Sequence, residues 1–207
     1  KGMKCVDCHR YDGVDAYTSA TMTLKKTVKG RASRDMVRRE ILSALSGKGD
    51  NREIYVMATS FENKPVATVI EFVIDPETMN LYAMSEKQTE KLFHIASNPN
   101  VSLAYVKHRE DYDYFSGALG VQIVGRAVQL KGTDPDFEAA ARIYIPTLPL
   151  PQPNAMIPQP PPIETLIEAV RSTKIITKII PERISILNRA FKEKGFHAMQ
   201  IWEPKSK

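Results

Sequence analysis

The chain has 207 residues, 43% of them hydrophobic and 26% charged, a composition that builds a folded core and excludes an extended disordered polymer. No apolar run is long enough to cross a bilayer as a helix; no signal peptide is visible, and a chain beginning at Lys1 is compatible with one having been removed. The net charge of +5 divides into a basic start (residues 1–52, 12 basic and 6 acidic), an acidic middle (53–162, 8 and 13) and a basic end (163–207, 9 and 5), which argues against duplex nucleic acid and leaves anionic small molecules or an acidic protein as partners.

Both cysteines lie in Cys5-Val6-Asp7-Cys8-His9, the C-x-x-C-H pattern of c-type haem attachment. Two thiols at this spacing each bond a haem vinyl group, and the adjacent His9 imidazole reaches the iron as an axial ligand. Met3, Met22 and the other histidines are candidates for the sixth ligand. The same residues also serve as part of a zinc site, with His94, His108, His197 or an acid completing four ligands, or as a plain thiol or disulfide pair. Haem attachment implies an exported, periplasmic-type protein; zinc or an inert pair implies a cytoplasmic one.

Residues 10–32 lack periodicity and predict a linker or extended arm. Ser33 is a good N-cap for a helix carrying Met36, Val37, Ile41, Ala44 and Leu45 and ended by Gly47. Strands are predicted over 54–60, 66–74 (stopped by Asp75-Pro76) and 81–84. Ser85 with Gln88 then forms a capping-box pattern opening a helix whose buried face is Leu92, Phe93, Ile95 and Ala96, ended by Asn98-Pro99. Strands over 101–106 and 119–130 follow, with Gly125 marking a bulge or a close backbone approach.

A helix over 134–145 is opened by Asp134-Pro135. Eight prolines between 146 and 162 predict an extended surface loop, an arm lying on a neighbouring subunit, or a polyproline ligand. A helix over 163–172 and strands over 183–187 and 197–202 complete the chain. Mostly antiparallel strands with few helices predict a small β-barrel of the α+β class. The domain division is an N-terminal arm, 1–32, and one barrel domain, 33–207, with a proline-rich insert at 146–162. His94, His197 and Trp202 predict packing roles before ligand roles.

At residues 81–91 a strand runs into a capped helix, whose free N–H groups and dipole suit a phosphate. Thr89 adds a hydroxyl and Lys91 an ammonium group; the plain alternative makes Ser85 a cap and the other two solvated surface residues.

Four pieces in order carry a family resemblance: Lys64-Pro65-Val66-Ala67-Thr68-Val69; Leu81-Tyr82-Ala83-Met84-Ser85; Thr89-Glu90-Lys91 followed by Asn98-Pro99-Asn100-Val101; and Val121-Gln122-Ile123-Val124-Gly125-Arg126-Ala127. Together they resemble the pyridoxamine 5′-phosphate oxidase-like FMN-binding split barrels. The resemblance implies a split β-barrel closed near Trp202, with the FMN phosphate on Thr89 and Lys91. It implies an isoalloxazine ring lined by Thr68, Val69, Met84 and Ser85, largely through backbone groups. It also implies a homodimer with FMN at the interface, to which the partner contributes near Gln122. The acidic, aromatic run at residues 110–115 predicts an exposed turn, a shield for a flavin face or a contact to a partner.

The oxidase's Arg-x-x-x-Leu-Lys pattern is missing, with Ala67 and Phe72 at its charged positions, and its C-terminal signature is replaced by Ile201-Trp202-Glu203-Pro204. These departures imply a related flavoprotein with another task than oxidising pyridoxamine phosphate, and an FMN phosphate more dependent on Lys91. The function expected is a small flavocytochrome that passes electrons between flavin and haem, with a small molecule or a protein as redox partner. The alternatives are a cytoplasmic FMN-dependent reductase with a zinc or inert Cys pair, and a non-catalytic flavin or haem carrier or sensor. No catalytic acid or base is evident.

Overall fold

The computed structural model describes residues 30–46, 52–107, 119–148 and 161–205. Cys5, Cys8 and His9, the linker up to residue 29, Gly47, the 110–115 run and prolines 149–160 lie outside the described residues.

Ser33 caps α1 (Arg34–Leu45), its hydroxyl accepting from the Met36 amide at 3.3 Å. Val37, Ile41, Ala44 and Leu45 recur on one face and are buried in the main core. Seven strands follow among the described residues: β1 (Arg52–Phe61), β2 (Lys64–Ile74), β3 (Leu81–Glu86), β4 (Asn100–Lys107), β5 (Leu119–Leu130), β6 (Lys174–Leu187) and β7 (Met199–Trp202). They pair in the order β3-β2-β1-β4-β5-β6-β7, every pair antiparallel, and β3 also pairs with β6. That last pairing closes six strands into a barrel, so the expected α+β split barrel is the fold.

The closing strand is not the one near Trp202. It is β6, which pairs with β3 along Lys174–Ile179, while β7 only extends the far end of β6. The first half of β6 was hidden in the sequence by Pro181, a poor strand residue. The structure accommodates this proline beside a register shift opposite Gly125. A Cβ on Gly125 would lie 2.3 Å from the Ile180 carbonyl oxygen, so the close approach expected at this glycine is present. The final strand begins at Met199 rather than His197, whose amide instead donates to the Gly30 carbonyl.

Alternate strand residues fill the barrel. Tyr55 meets Phe72 edge-on at 5.6 Å and Tyr105 at 5.4 Å, closing the interior to ligands at that level. Burial pushes both phenols well above their ordinary range, and the Glu53 carboxylate, hydrogen-bonded to Tyr105, adds to the effect.

The outer walls differ. Helices α3 (Phe137–Tyr144) and α4 (Ile163–Arg171) cover one wall, burying a second core with Val73, Tyr82, Leu130 and Ile176. Helix α3 starts later than Asp134 because that residue closes a turn: its carboxylate accepts from the Lys131 amide at 2.6 Å and its carbonyl from Phe137 at 3.1 Å. The wall formed by β1, β2 and β4 has no such cover among the described residues. There Ile54, Val56, Val69 and Val106 are 60%, 45%, 70% and 69% exposed.

Candidate functional site

The β2–β3 ladder has only two pairs, Val73↔Tyr82 and Ile74↔Leu81. Beyond them β2 follows β1 to its hairpin, while β3 stays on β6 as far as Glu86↔Lys174. The barrel wall therefore opens into a slot between residues 64–72 of β2 and 83–86 of β3. Strand edges that part in this way turn backbone N–H and C=O groups into the gap with no ladder partner across it. Thr68 and Val69 lie on one edge of the slot, Met84 and Ser85 on the other. Strand alternation turns Thr68 and Ser85 inward and Val69 and Met84 outward.

Ser85 does not cap the helix. The β3–β6 ladder, reinforced by the Lys174–Glu86 ion pair, holds it in the strand, and its buried hydroxyl has no hydrogen-bond partner among the described residues. The chain then turns at Lys87-Gln88, with Gln88 at φ 66°, and α2 (Glu90–Ser97) begins behind Thr89 as N-cap. The Thr89 hydroxyl makes no cap bond and is likewise buried without a partner among the described residues. Lys91, half-buried in the first turn, has no ionic partner among the described residues.

The buried face of α2 is Leu92, His94 and Ile95, not the expected set: Phe93 is 58% exposed and Ala96 is exposed too. His94 fixes this orientation. Its Nδ1 lies 3.1 Å from the buried Thr59 hydroxyl on β1, its Nε2 lies 3.7 Å from the Glu90 carboxylate, and its ring stacks on Phe61 at 6.0 Å. Histidine thus takes a core position that an apolar-only pattern gives to Phe93. At 100° per residue, Thr89, Leu92, Phe93 and Ala96 share one side of α2, and Lys91 lies on the opposite side.

A cleft of about 940 Å³ opens on the Thr89 side, between α2, the end of β5 and the end of α4. Thr89, Phe93, Lys131, Arg171 and Ile175 are among its walls. Of these, only Thr89 is a ligand candidate in the sequence. Gly132 offered a local signal: a Cβ there would lie 2.2 Å from the Arg171 carbonyl oxygen, so the turn after β5 must pack tightly on α4. Arg171 gave none, because only the closed fold brings it near α2.

Gln122 is exposed on the outer face of β5, in the cross-strand row Val69–Val56–Ala104–Gln122. Three strand spacings, about 14 Å, separate it from Val69, so the two do not meet one ring within a protomer. Trp202 is buried beneath the Arg34 guanidinium at 5.0 Å, a packing position. Among the described residues no group of three or more His, Cys, Asp or Glu is arranged to hold a metal ion, and no helix is long and apolar enough to cross a membrane.

These residues fit a phosphorylated planar ligand. The first-turn amides of α2, the Thr89 hydroxyl and the Lys91 ammonium suit the anion, and the open strand edges suit the polar rim of a ring. A six-stranded antiparallel barrel with one seam left open is the FMN-binding split-barrel architecture. The family model described as pyridoxamine 5′-phosphate oxidase matches residues 48–162, more than half of the chain, and the protein belongs to that family.

No curated protein matches the chain. Among solved structures it is similar to a heme binding protein from Mycobacterium smegmatis, with 14% identity, TM-score 0.55, and coverage of 84% of this chain and 59% of that one. It is also similar to ChuZ from Campylobacter jejuni, with 14% identity, TM-score 0.53, and 90% and 68% coverage. A FAD-binding protein from Mesorhizobium loti shares 16% identity, with TM-score 0.46 and 72% and 90% coverage. At these identities the likeness is one of fold.

Proposed function

We propose that the chain is a redox flavoprotein holding an FMN moiety in the slot between β2 and β3, at the interface of a homodimer. The observation that carries this is the two-pair β2–β3 ladder, which leaves a slot open beside the N-terminus of α2 and its unpartnered Thr89 hydroxyl. Lys91 and Thr89 with the first-turn amides would hold the phosphate; backbone groups of Thr68, Val69, Met84 and Ser85 would meet the ring. A bound flavin supplies one- and two-electron chemistry, and the chain's part is position and electrostatics. Ala67 is exposed and Phe72 is fully buried in the barrel, so neither position offers the cation that the oxidase pattern places there. The task proposed is therefore not oxidation of pyridoxamine phosphate.

The homodimer rests on the bare wall of β1, β2 and β4. Joining two such walls covers its apolar residues and brings Gln122 of one protomer toward the slot of the other. The haem half of the proposal rests on the Cys5-Val6-Asp7-Cys8-His9 motif: a covalently attached haem on the N-terminal arm, exchanging electrons with the flavin, in an exported protein. The similarity in fold to a heme binding protein favours a second reading, a barrel that carries haem or flavin without turnover.

Native protein made in a host that matures c-type cytochromes separates these readings. Absorption bands of both chromophores are expected, with acid extraction releasing flavin and retaining haem. Haem released by acid, with no flavin, favours the carrier. Flavin with stoichiometric zinc and no iron favours a cytoplasmic reductase. Colourless protein overturns the proposal.

A further inference from the structure

The cleft on the outer side of α2 is not explained by a ligand that ends in one phosphate. Helix periodicity turns Lys91 away from the side that Thr89 and Phe93 present to the 940 Å³ cleft, whose volume is at the upper end of the roughly 300–1,000 Å³ typical of ligand pockets. Its floor is apolar, from Leu92, Ala96 and Ile175, and Phe93 presents an exposed ring to it. Lys131 stands on its rim, and the Thr89 hydroxyl, buried and unpartnered, marks the junction with the helix end. An aromatic group against an apolar floor, joined to a second phosphate near Lys131, matches this layout.

Resting on the flavin reading above, we infer that the cleft takes the adenylate half of a flavin dinucleotide, so that FAD rather than FMN is the preferred cofactor. The diphosphate spans the α2 N-terminus past Thr89, the second phosphate meets Lys131, and the adenine lies on the apolar floor beside Phe93. The sequence hides this arrangement, because α2 supplies the floor while the turn after β5 supplies the cation.

Fluorescence titration of the full chain with FMN and with FAD tests it. FAD is expected to bind at least about tenfold more tightly, the scale of one charge-assisted contact. Lys131→Glu, on the exposed rim, is expected to remove that preference while leaving FMN affinity within about twofold. Ala96→Trp, which fills the floor from an exposed position, is a second variant with the same expected outcome. Equal affinity of the wild type for both flavins, or a preference that survives both variants, overturns the inference and leaves the flavin reading standing. AMP binding to the cleft with no FAD preference also overturns it. Failure of either flavin to bind overturns the flavin reading itself, and this inference with it.

Discussion

Val56→Asp is expected to convert the proposed homodimer into monomers and to release the flavin. Val56 sits at the centre of the uncovered wall, opposite Val69 on one side and Ala104 on the other, and is 45% exposed in the single chain. An aspartate there costs a lone protomer little, because its carboxylate remains in water. Pairing two walls would desolvate two like charges with no cation opposite them in the row. Burying an uncompensated charge at an interface centre costs about 3–5 kcal/mol, or roughly 150- to 5,000-fold in the dimer dissociation constant. Sedimentation equilibrium reads the assembly, while the thermal midpoint, which should hardly move at high dilution, shows that the barrel still folds. A variant that remains dimeric, or a monomeric wild type with tightly bound flavin, contradicts the interface.

The second large effect falls on stability. Gly125→Val is expected to destabilise the barrel at the seam between β5 and β6. A Cβ at Gly125 meets the Ile180 carbonyl oxygen at 2.3 Å and the Ile180 carbonyl carbon and Pro181 Cα at 3.0 Å. All three are backbone atoms, so no rotamer change relieves the clash, and the strands must part. Forced overpacking of this kind costs on the order of 3 kcal/mol, which lowers the melting temperature by roughly 6–12 °C for a chain of this size. Gly120→Ala is the control on the same strand. Its Cβ would meet only the Tyr105 carbonyl oxygen, at an ordinary 3.8 Å. Equal losses in the two variants would show that the glycine at 125 is not a packing requirement.

The sequence was most legible where local chemistry dictates structure. Ser33 with the 37/41/44/45 stripe defines α1, and alternation with short gaps defines the β1–β2 and β2–β3 antiparallel pairs. It misled where tertiary pairing overrides a local signal. Ser85-Glu86-Lys87-Gln88 has the composition of a helix cap, yet β6 holds Ser85 and Glu86 in the sheet and moves the helix start to Thr89-Glu90. Pro181 concealed the first half of β6, because nothing local shows that Gly125 stands opposite it. Phe93 is exposed where the apolar pattern buries it, while His94 takes the packing role expected of it, because a buried Thr59 hydroxyl, 35 residues away, rewards a histidine on the inner face. The site was legible as a strand end and a helix start carrying Thr89 and Lys91. Its slot was not, because a slot is the absence of pairing between two strands that each look complete.

Whether the FMN phosphate sits at the start of α2 is read from the FMN affinity of Lys91→Ala against that of the wild type. Lys91 lies at the helix start, half-buried and without an ionic partner among the described residues, so its removal should leave the fold intact. The expected result is a loss of about 1.5–3 kcal/mol, or roughly 10- to 150-fold in Kd, the value of a charge-assisted contact to phosphate. An affinity within about twofold of the wild type would place the phosphate elsewhere and contradict the assignment.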